Sequence, residues 1–467
     1  MKSKYIWLFV ILIVLLSVFA IFRQDNETSD TNEYYLMAEM FASGESNIQM
    51  YSAHSALYPY IVGKLTGDFY SDGLYKFIGF LIILLICLLL YLITKKEISI
   101  FLLLLCPVTI GVIGTNSPVL IAALFFLLAY FFLTKWVKSK HWVLLAMSGL
   151  IMGFCGGFYF LVFIYMIFLM FVFFIDVKFK YFLSYLIFVL IGLVPKFLFD
   201  SFYYGFPLHS ILRLFSSNVV ARVLNTSYNS GSSPIFSLFN NFQFFMNDYF
   251  FALIIMFISM LIPLYFIFKK LAYRKYKKQF WFLGISSLCV FVLGGLYPYS
   301  FVFLPALFIL FTKSVARMSK NRVTIIFVLF IALSAFIIYD DLTDNMNQFN
   351  SQIKADSLAI QEDFEVKEFV LGWDMVQVVR NFDNSYQFYW WDEYMAEEEG
   401  YEVYTSFYFE EEPKFDILRL IYFDFGYKRN TQELPEEPYF IFMRTYEAPA
   451  DFEELECYEV LCAYKKQ

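Results

Sequence analysis

The feature that most constrains this chain is the run FIGFLIILLICLLLYLI at 77–93, which contains no charged side chain. A helix rises about 1.5 Å per residue, so close to 20 apolar residues cross the roughly 30 Å of bilayer hydrocarbon. Comparable runs recur at about 5–22, 76–94, 98–114, 117–134, 142–157, 158–175, 181–199, 249–268, 280–296, 297–312 and 323–339. Peptide groups in hydrocarbon must be hydrogen-bonded within the protein, so each run is expected to be helical. The shorter runs are accommodated by tilt or local thinning of the bilayer. The chain is 60% hydrophobic with a mean hydropathy of +0.60, more apolar than a soluble globule. The expected fold class is therefore an α-helical polytopic membrane protein of about 11 transmembrane helices. The first run follows MKSK, is longer than a signal-peptide core and lacks a small-x-small cleavage site, so it reads as a retained anchor.

Charge divides the chain in two. From Asp340 onward there are 30 acidic and 10 basic residues, a net of −20, whereas the preceding part is +13. The expected domains are a multi-pass membrane domain over 1–340 and an acidic extracytoplasmic α/β domain over 341–467. An acidic aqueous domain repels phosphates, so no nucleic-acid partner is expected. Alternate connections between the apolar runs are basic: KKE, KWVKSKH, DVKFK, KKLAYRKYKKQ and TKSVARMSKNR. With the N-terminus they hold 19 Lys and Arg, against about six in the opposite loops. The positive-inside rule then puts the N-terminus in the cytoplasm and the tail outside, in the cell membrane or envelope.

Two of the outer connections are long, 23–75 and 200–248. The second holds FPLHSILRLFSSNVVARVL and PIFSLFNNFQFFMNDYF, whose near-helical apolar spacing predicts helices lying in the membrane interface. Loops of such length usually build a site. In the tail, YEVYTSFYF and PYFIFMRT alternate as strands do, while PADFEELE resembles the start of a helix. Cys457 and Cys462 fall in ECYEVLCAY, read as one strand; an odd spacing along a strand turns them to opposite faces, so they are not expected to pair. Cys87, Cys106, Cys155 and Cys289 sit in apolar runs as small hydrophobes. No metal-binding pattern is present and no cofactor is implied. Asn26 and Asn225 head N-x-S/T triplets on the expected outer side.

An enzyme on the outer face has no nucleotide sugar or ATP at hand, so its substrate must arrive activated. A sugar on a lipid phosphate meets that need: a carboxylate takes the acceptor's proton and cations steady the departing phosphate. DTNEYYLMAEMFASG supplies Asp30, Tyr34, Ala38 and Gly44 at D-x3-Y-x3-A-x5-G, followed by HSALYPYIVGKL with His54. This arrangement resembles the GT-C superfamily of membrane glycosyltransferases, of the RgtA/B/C/D-like and dolichyl-phosphate-mannose types. There an acidic residue opens a short interfacial helix after the first transmembrane helix. The resemblance implies Asp30 as general base, with Glu33 as the substitute. FDSFYYGFPLHS at 199–210 is similar to the family's aspartate-aromatic-glycine segment, matching Asp200, Tyr203, Tyr204 and Gly205. LYPYSFVFLPALFILF at 296–311 is similar to its R-Y-x-x-P-x-x-P span through Tyr299 and Pro305. Pro298 stands where that family has arginine, and Asn116 where it has a second acid.

Each of these residues also has a plainer reading. Asp30 and Glu33 follow a helix exit, where solvated acids are common. Asp200 lies one helical turn from Lys196, which suits an ion pair as well as substrate contact. Arg213 and Arg222 match phosphate geometry on a donor or on lipid headgroups alike. Trp390 and Trp391 suit a sugar platform or a domain core. The function expected is transfer of a sugar from a polyprenyl- or dolichyl-phosphate donor to a glycan, lipid or protein acceptor. The rivals are a transporter or lipid flippase, which needs ionisable groups at mid-membrane depth, and a non-catalytic envelope protein presenting its acidic domain.

Overall fold

The structure is a computed structural model that describes residues 3–22, 29–44, 55–114, 117–159, 162–204, 207–208, 250–271, 273–292, 299–343, 345–371, 376–382, 385–390, 439–444 and 452–466. It is mostly helical and ends in a small sheet. The chain forms two compact units, one of Met1–Arg23, Ser71–Phe199 and Leu238–Asp341, the other of Gln24–Tyr70, Asp200–Ser237 and Leu342–Gln467.

The first unit contains helices α1 (Ser3–Phe22), α4 (Asp72–Thr94), α5 (Ile98–Leu104), α6 (Pro107–Val112), α7 (Ser117–Ser139), α8 (Trp142–Phe158) and α9 (Val162–Phe174). It also contains most of α10 (Phe179–Tyr204), then α11 (Phe250–Lys270), α12 (Tyr273–Val292), α13 (Leu304–Val315) and α14 (Lys320–Thr343). Among the described residues, four helical stretches are long and apolar enough to cross a membrane: Asp72–Thr94, Pro118–Ser139, Phe179–Tyr203 and Lys320–Tyr339. Their outward faces are apolar. On α4 the stripe Leu81, Leu85, Leu88 and Leu92 is exposed by 42–52% at helical spacing. Such a face is costly in water and neutral in hydrocarbon, which is compatible with a membrane location.

Ser71 caps α4, its hydroxyl accepting from the Leu74 amide at 3.2 Å. Helices α8 and α10 cross at glycines, where a side chain at Gly153 would strike the Val189 carbonyl and one at Gly192 the Leu150 carbonyl. Small residues let helix backbones approach closely where the hydrophobic effect gives little drive. Phe126 and Tyr130, one turn apart on α7, both stack on Phe282 of α12, at 6.0 and 5.8 Å.

Two expected spans are interrupted. The 98–114 run is not one helix: α5 and α6 are separated at Leu105 and Cys106, because Pro107 lacks an amide and opens a new helix. The freed Leu105 carbonyl is met by the Ser334 hydroxyl of α14 at 3.0 Å. Irregular backbone of this kind is tolerated in a membrane only when buried in protein, and Leu102 to Leu104, Cys106 and Val108 are fully buried. The 297–312 run likewise becomes a 3₁₀ turn, Tyr299–Val302, followed by α13. With 12 residues, α13 is about 18 Å long. It is buried on all sides against α4, α5, α7 and α11.

The second unit contains α2 (Ser29–Ser43), α3 (Leu57–Thr66), the end of α10, α15 (Asn345–Asp363) and α16 (Val376–Val379). Its sheet comprises β1 (Glu368–Leu371), β2 (Gln387–Trp390), β3 (Tyr439–Met443), β4 (Phe452–Cys457) and β5 (Leu461–Lys466), ordered β2-β1-β3-β5-β4. β1 runs parallel to both β2 and β3, while β5 is antiparallel to β3 and β4. PYFIFMRT yields the expected strand, β3, but Phe440, Ile441 and Phe442 are all buried, so both of its faces are packed rather than one. YEVYTSFYF lies outside the described residues.

Two expectations for the tail are corrected. FEELEC is a strand rather than a helix, and ECYEVLCAY is a hairpin rather than one strand, so Cys457 and Cys462 face each other across β4 and β5 and form a disulfide, with Cα atoms 4.1 Å apart. The turn between them is held from outside. The buried Asp356 of α15 accepts from the amides of Val460 and Leu461 at 2.6 and 2.9 Å. Asp363 accepts the Tyr458 hydroxyl at 2.7 Å. These acids end the strand where local propensity would continue it.

Candidate functional site

Helix α2 carries the sequence-predicted base, and its surroundings define the site. It is buried on nearly every face: Asn32, Tyr34, Tyr35, Leu36, Met37, Ala38 and Phe41 are each at most 6% exposed. The resemblance implies an interfacial helix, but this one is a core element of its unit. On one face Ala38 and Phe41 meet α3, where Gly63 lies so close that a Cβ would collide with the Ala38 carbonyl. On another, Leu36 joins the hydrophobic core of the sheet with Ile353, Ile360, Phe369 and Val379. The Arg380 guanidinium, just after α16, donates to the Asn32 side-chain oxygen and lies 4.8 Å from the centre of the Tyr35 ring. The Tyr70 hydroxyl donates to the Tyr35 carbonyl at 2.9 Å.

The end of α10 belongs to the same unit. Tyr203 packs edge-on against Phe41 at 4.7 Å and Tyr60 at 6.0 Å, and Phe41 and Tyr60 are 5.2 Å apart. This trio ties α2, α3 and α10 together, bringing the segment after the first apolar run against the segment after the 181–199 run. Edge-to-face aromatic geometry is favourable beyond simple area burial.

The predicted residues are placed as follows. Asp30 lies in the first turn of α2, where a helix N-terminus favours negative charge; its side chain is outside the described residues. Glu33 is half-buried on the same helix. Tyr34 is buried, 2% exposed. Asp200 is fully buried, and the i and i+4 positions of Lys196 and Asp200 put them on one side of α10, with Lys196 1% exposed. A buried carboxylate must have its charge met, so Asp200 is held in place rather than solvated. Tyr203 is half-buried in the aromatic trio. Tyr204 has helical backbone, its side chain undescribed. His54, Arg213, Arg222, Gly205, Asn26, Asn225, Asn116, Pro298 and Trp391 lie outside the described residues, as do the side chains of Tyr299 and Trp390, while Pro305 is buried in α13.

Arg380 was not among the residues the sequence singled out. Its signal is faint, a lone cation after VQVV in an acidic domain, and only the fold brings it to Asn32, 348 residues earlier. One group of metal-compatible side chains occurs among the described residues, Glu454, Cys457 and Cys462. Its two sulfurs are joined in the disulfide, so it does not fit a metal ion.

In comparisons with known proteins, no family model, curated protein or solved structure matches this chain.

Proposed function

We propose that the protein is a membrane glycosyltransferase, moving a sugar from a polyprenyl- or dolichyl-phosphate donor to a hydroxyl acceptor on the outer face of the membrane. The observation that carries this reading is the Phe41–Tyr60–Tyr203 trio, which packs the helix bearing Asp30 against the helix end bearing Asp200. Two separate outer-loop motifs of the resemblance thereby fall in one compact unit. In the reaction, the acceptor oxygen bonds to the anomeric carbon as the bond from that carbon to the phosphate oxygen breaks, with inversion. The acceptor proton passes to the Asp30 carboxylate, and the lipid phosphate leaves with the bonding electrons, steadied by Arg213 or Arg222. Glu33 stands in reserve as base, while Asp200, Tyr203, Tyr204, Tyr34 and His54 shape the cleft around donor and acceptor.

The sidedness proposed with it has eleven spans, a cytoplasmic N-terminus and an extracytoplasmic C-terminal domain. Two observations support it. The 24–70 segment and the tail share one unit, and the tail contains a disulfide, which persists in oxidising compartments outside the cytoplasm. The test is Asp30→Asn in protein reconstituted with a polyprenyl-phosphate sugar. Sugar transfer is expected to fall about 10²- to 10⁴-fold, the usual contribution of a general base. Unchanged turnover would rule out the assigned role.

A second reading, a non-catalytic envelope protein, is favoured by Pro298 and Asn116 standing where the family has charges. It predicts no transfer from any lipid-linked donor by the unaltered chain.

A further inference from the structure

At one end of the helix bundle, α7 and α13 finish and α12 begins, and there lysines converge from stretches far apart in sequence. Lys135 and Lys138 lie in the last turns of α7, Lys313 near the end of α13, and Lys275 in the first turn of α12. Lys313 is half-buried, and Lys135, Lys138 and Lys275 all repel its charge. Lys275 and Lys313 share the ring of Tyr276, their Nζ atoms 6.0 and 5.5 Å from its centre. Tyr276 sits at a kink in α12, with non-helical backbone.

Cytoplasmic enrichment in lysine explains basic loops, but not this packing. Lys135, Lys138 and Lys275 are exposed, but Lys313 is half-buried beside them, where mutual repulsion opposes its charge. Lys278, close by, shows the ordinary solution, an ion pair with Asp176 at 3.5 Å and a hydrogen bond to the Phe173 carbonyl at 3.0 Å. Lys135, Lys138, Lys275 and Lys313 have no carboxylate within ion-pair distance among the described residues, while Lys135 lies over Phe131 and Lys275 and Lys313 lie over Tyr276. Two ammonium groups share the ring of Tyr276, Lys135 and Lys138 stand near enough to repel Lys313, and Lys313 is drawn half out of water; together they form a concentrated positive charge suited to an anion.

We propose that Lys135, Lys138, Lys275 and Lys313 form a binding site for a phosphate group. Lysine suits this ligand as a compact point charge with three donors, and basic pockets between membrane helices hold phosphate headgroups. The site is separate from the proposed transfer reaction and does not depend on it.

The test uses the full-length protein in neutral detergent, following thermal unfolding while titrating phosphatidylglycerol, inorganic pyrophosphate or, as a screening control, sodium chloride of equal ionic strength. A saturable rise in Tm with the lipid but not pyrophosphate identifies a headgroup, and a rise with pyrophosphate identifies a soluble ligand. In Lys138→Gln/Lys275→Gln the midpoint concentration should increase at least tenfold, as roughly fivefold per lysine implies. Should that variant misfold, Lys135→Gln at the exposed helix end should still weaken binding severalfold. The proposal is overturned if chloride matches both ligands, or if the folded variants respond as the unaltered protein does.

Discussion

At the scale of single residues, Arg380 links the tail to the helix that carries Asp30. Its guanidinium meets two different groups of α2, the buried Asn32 oxygen and the face of Tyr35. Replacing it with alanine leaves Asn32 without this donor and removes a cation–π contact. A charge-assisted hydrogen bond is worth about 1.5–3 kcal/mol and a cation–π contact about 0.5–1 kcal/mol. Arg380→Ala should therefore destabilise the protein by about 2–3 kcal/mol in thermal or denaturant unfolding. Arg380→Lys should recover only part of that loss, because lysine keeps the charge but not the planar fork. An unaltered midpoint for the alanine variant would mean that the contact does not hold α2. Neither residue was conspicuous in the sequence. Asn32 is one polar residue in a polar stretch and Arg380 one cation among many acids, and only a fold joining positions 348 apart gives them meaning.

At the scale of elements, the hairpin of β4 and β5 is built by partners from elsewhere, which explains why the sequence misled there. Read alone, ECYEVLCAY has strand propensity throughout and no Gly, Asn or Pro to announce a turn. The turn is imposed by Asp356 on two backbone amides and by the Tyr458–Asp363 hydrogen bond, more than 90 residues away in sequence. The break between α5 and α6 has the same character. Pro107 was visible, but the Ser334 hydroxyl that makes an interruption tolerable was not. By contrast, α4 needed no distant partner to be recognised, since its uncharged run is local, although the structure starts the helix earlier, at Asp72 after the Ser71 cap. The hairpin also has a pH consequence. Partial burial and the neighbouring acids Asp363, Glu456 and Asp356 push the Tyr458 phenol above its ordinary value of 10. Above that value the unfolded chain gives up this proton while the folded domain keeps it, so stability is full below about pH 10 and declines as pH rises further. Tyr458→Phe should flatten that alkaline decline while lowering stability at neutral pH, as pH-dependent unfolding would register. An equal alkaline slope in both proteins would remove Tyr458 as its source.

At the scale of the whole molecule, two charge patterns were legible from the start and have different structural counterparts. Among the described residues, four of the apolar runs correspond to helices of spanning length with outward apolar faces, while the 98–114 and 297–312 runs are interrupted and buried. The acidic tail corresponds to a mixed sheet whose unit also includes 24–70 and 200–237. That partnership was only half visible in the sequence. Charge asymmetry grouped the long connections with the tail by side, but nothing in the tail's composition indicated that Leu36 completes its core. The proposed chemistry depends on this grouping, because a base on α2 and a recognition domain in the tail can serve one reaction only from one compartment. The direct measurement is labelling of intact cells with a membrane-impermeant thiol reagent, on single cysteines introduced at the exposed positions Glu39, Lys354 and Lys140. Labelling is expected at Glu39→Cys and Lys354→Cys, and at Lys140→Cys only after the membrane is opened. Opposite accessibility of positions 39 and 354 would contradict the account.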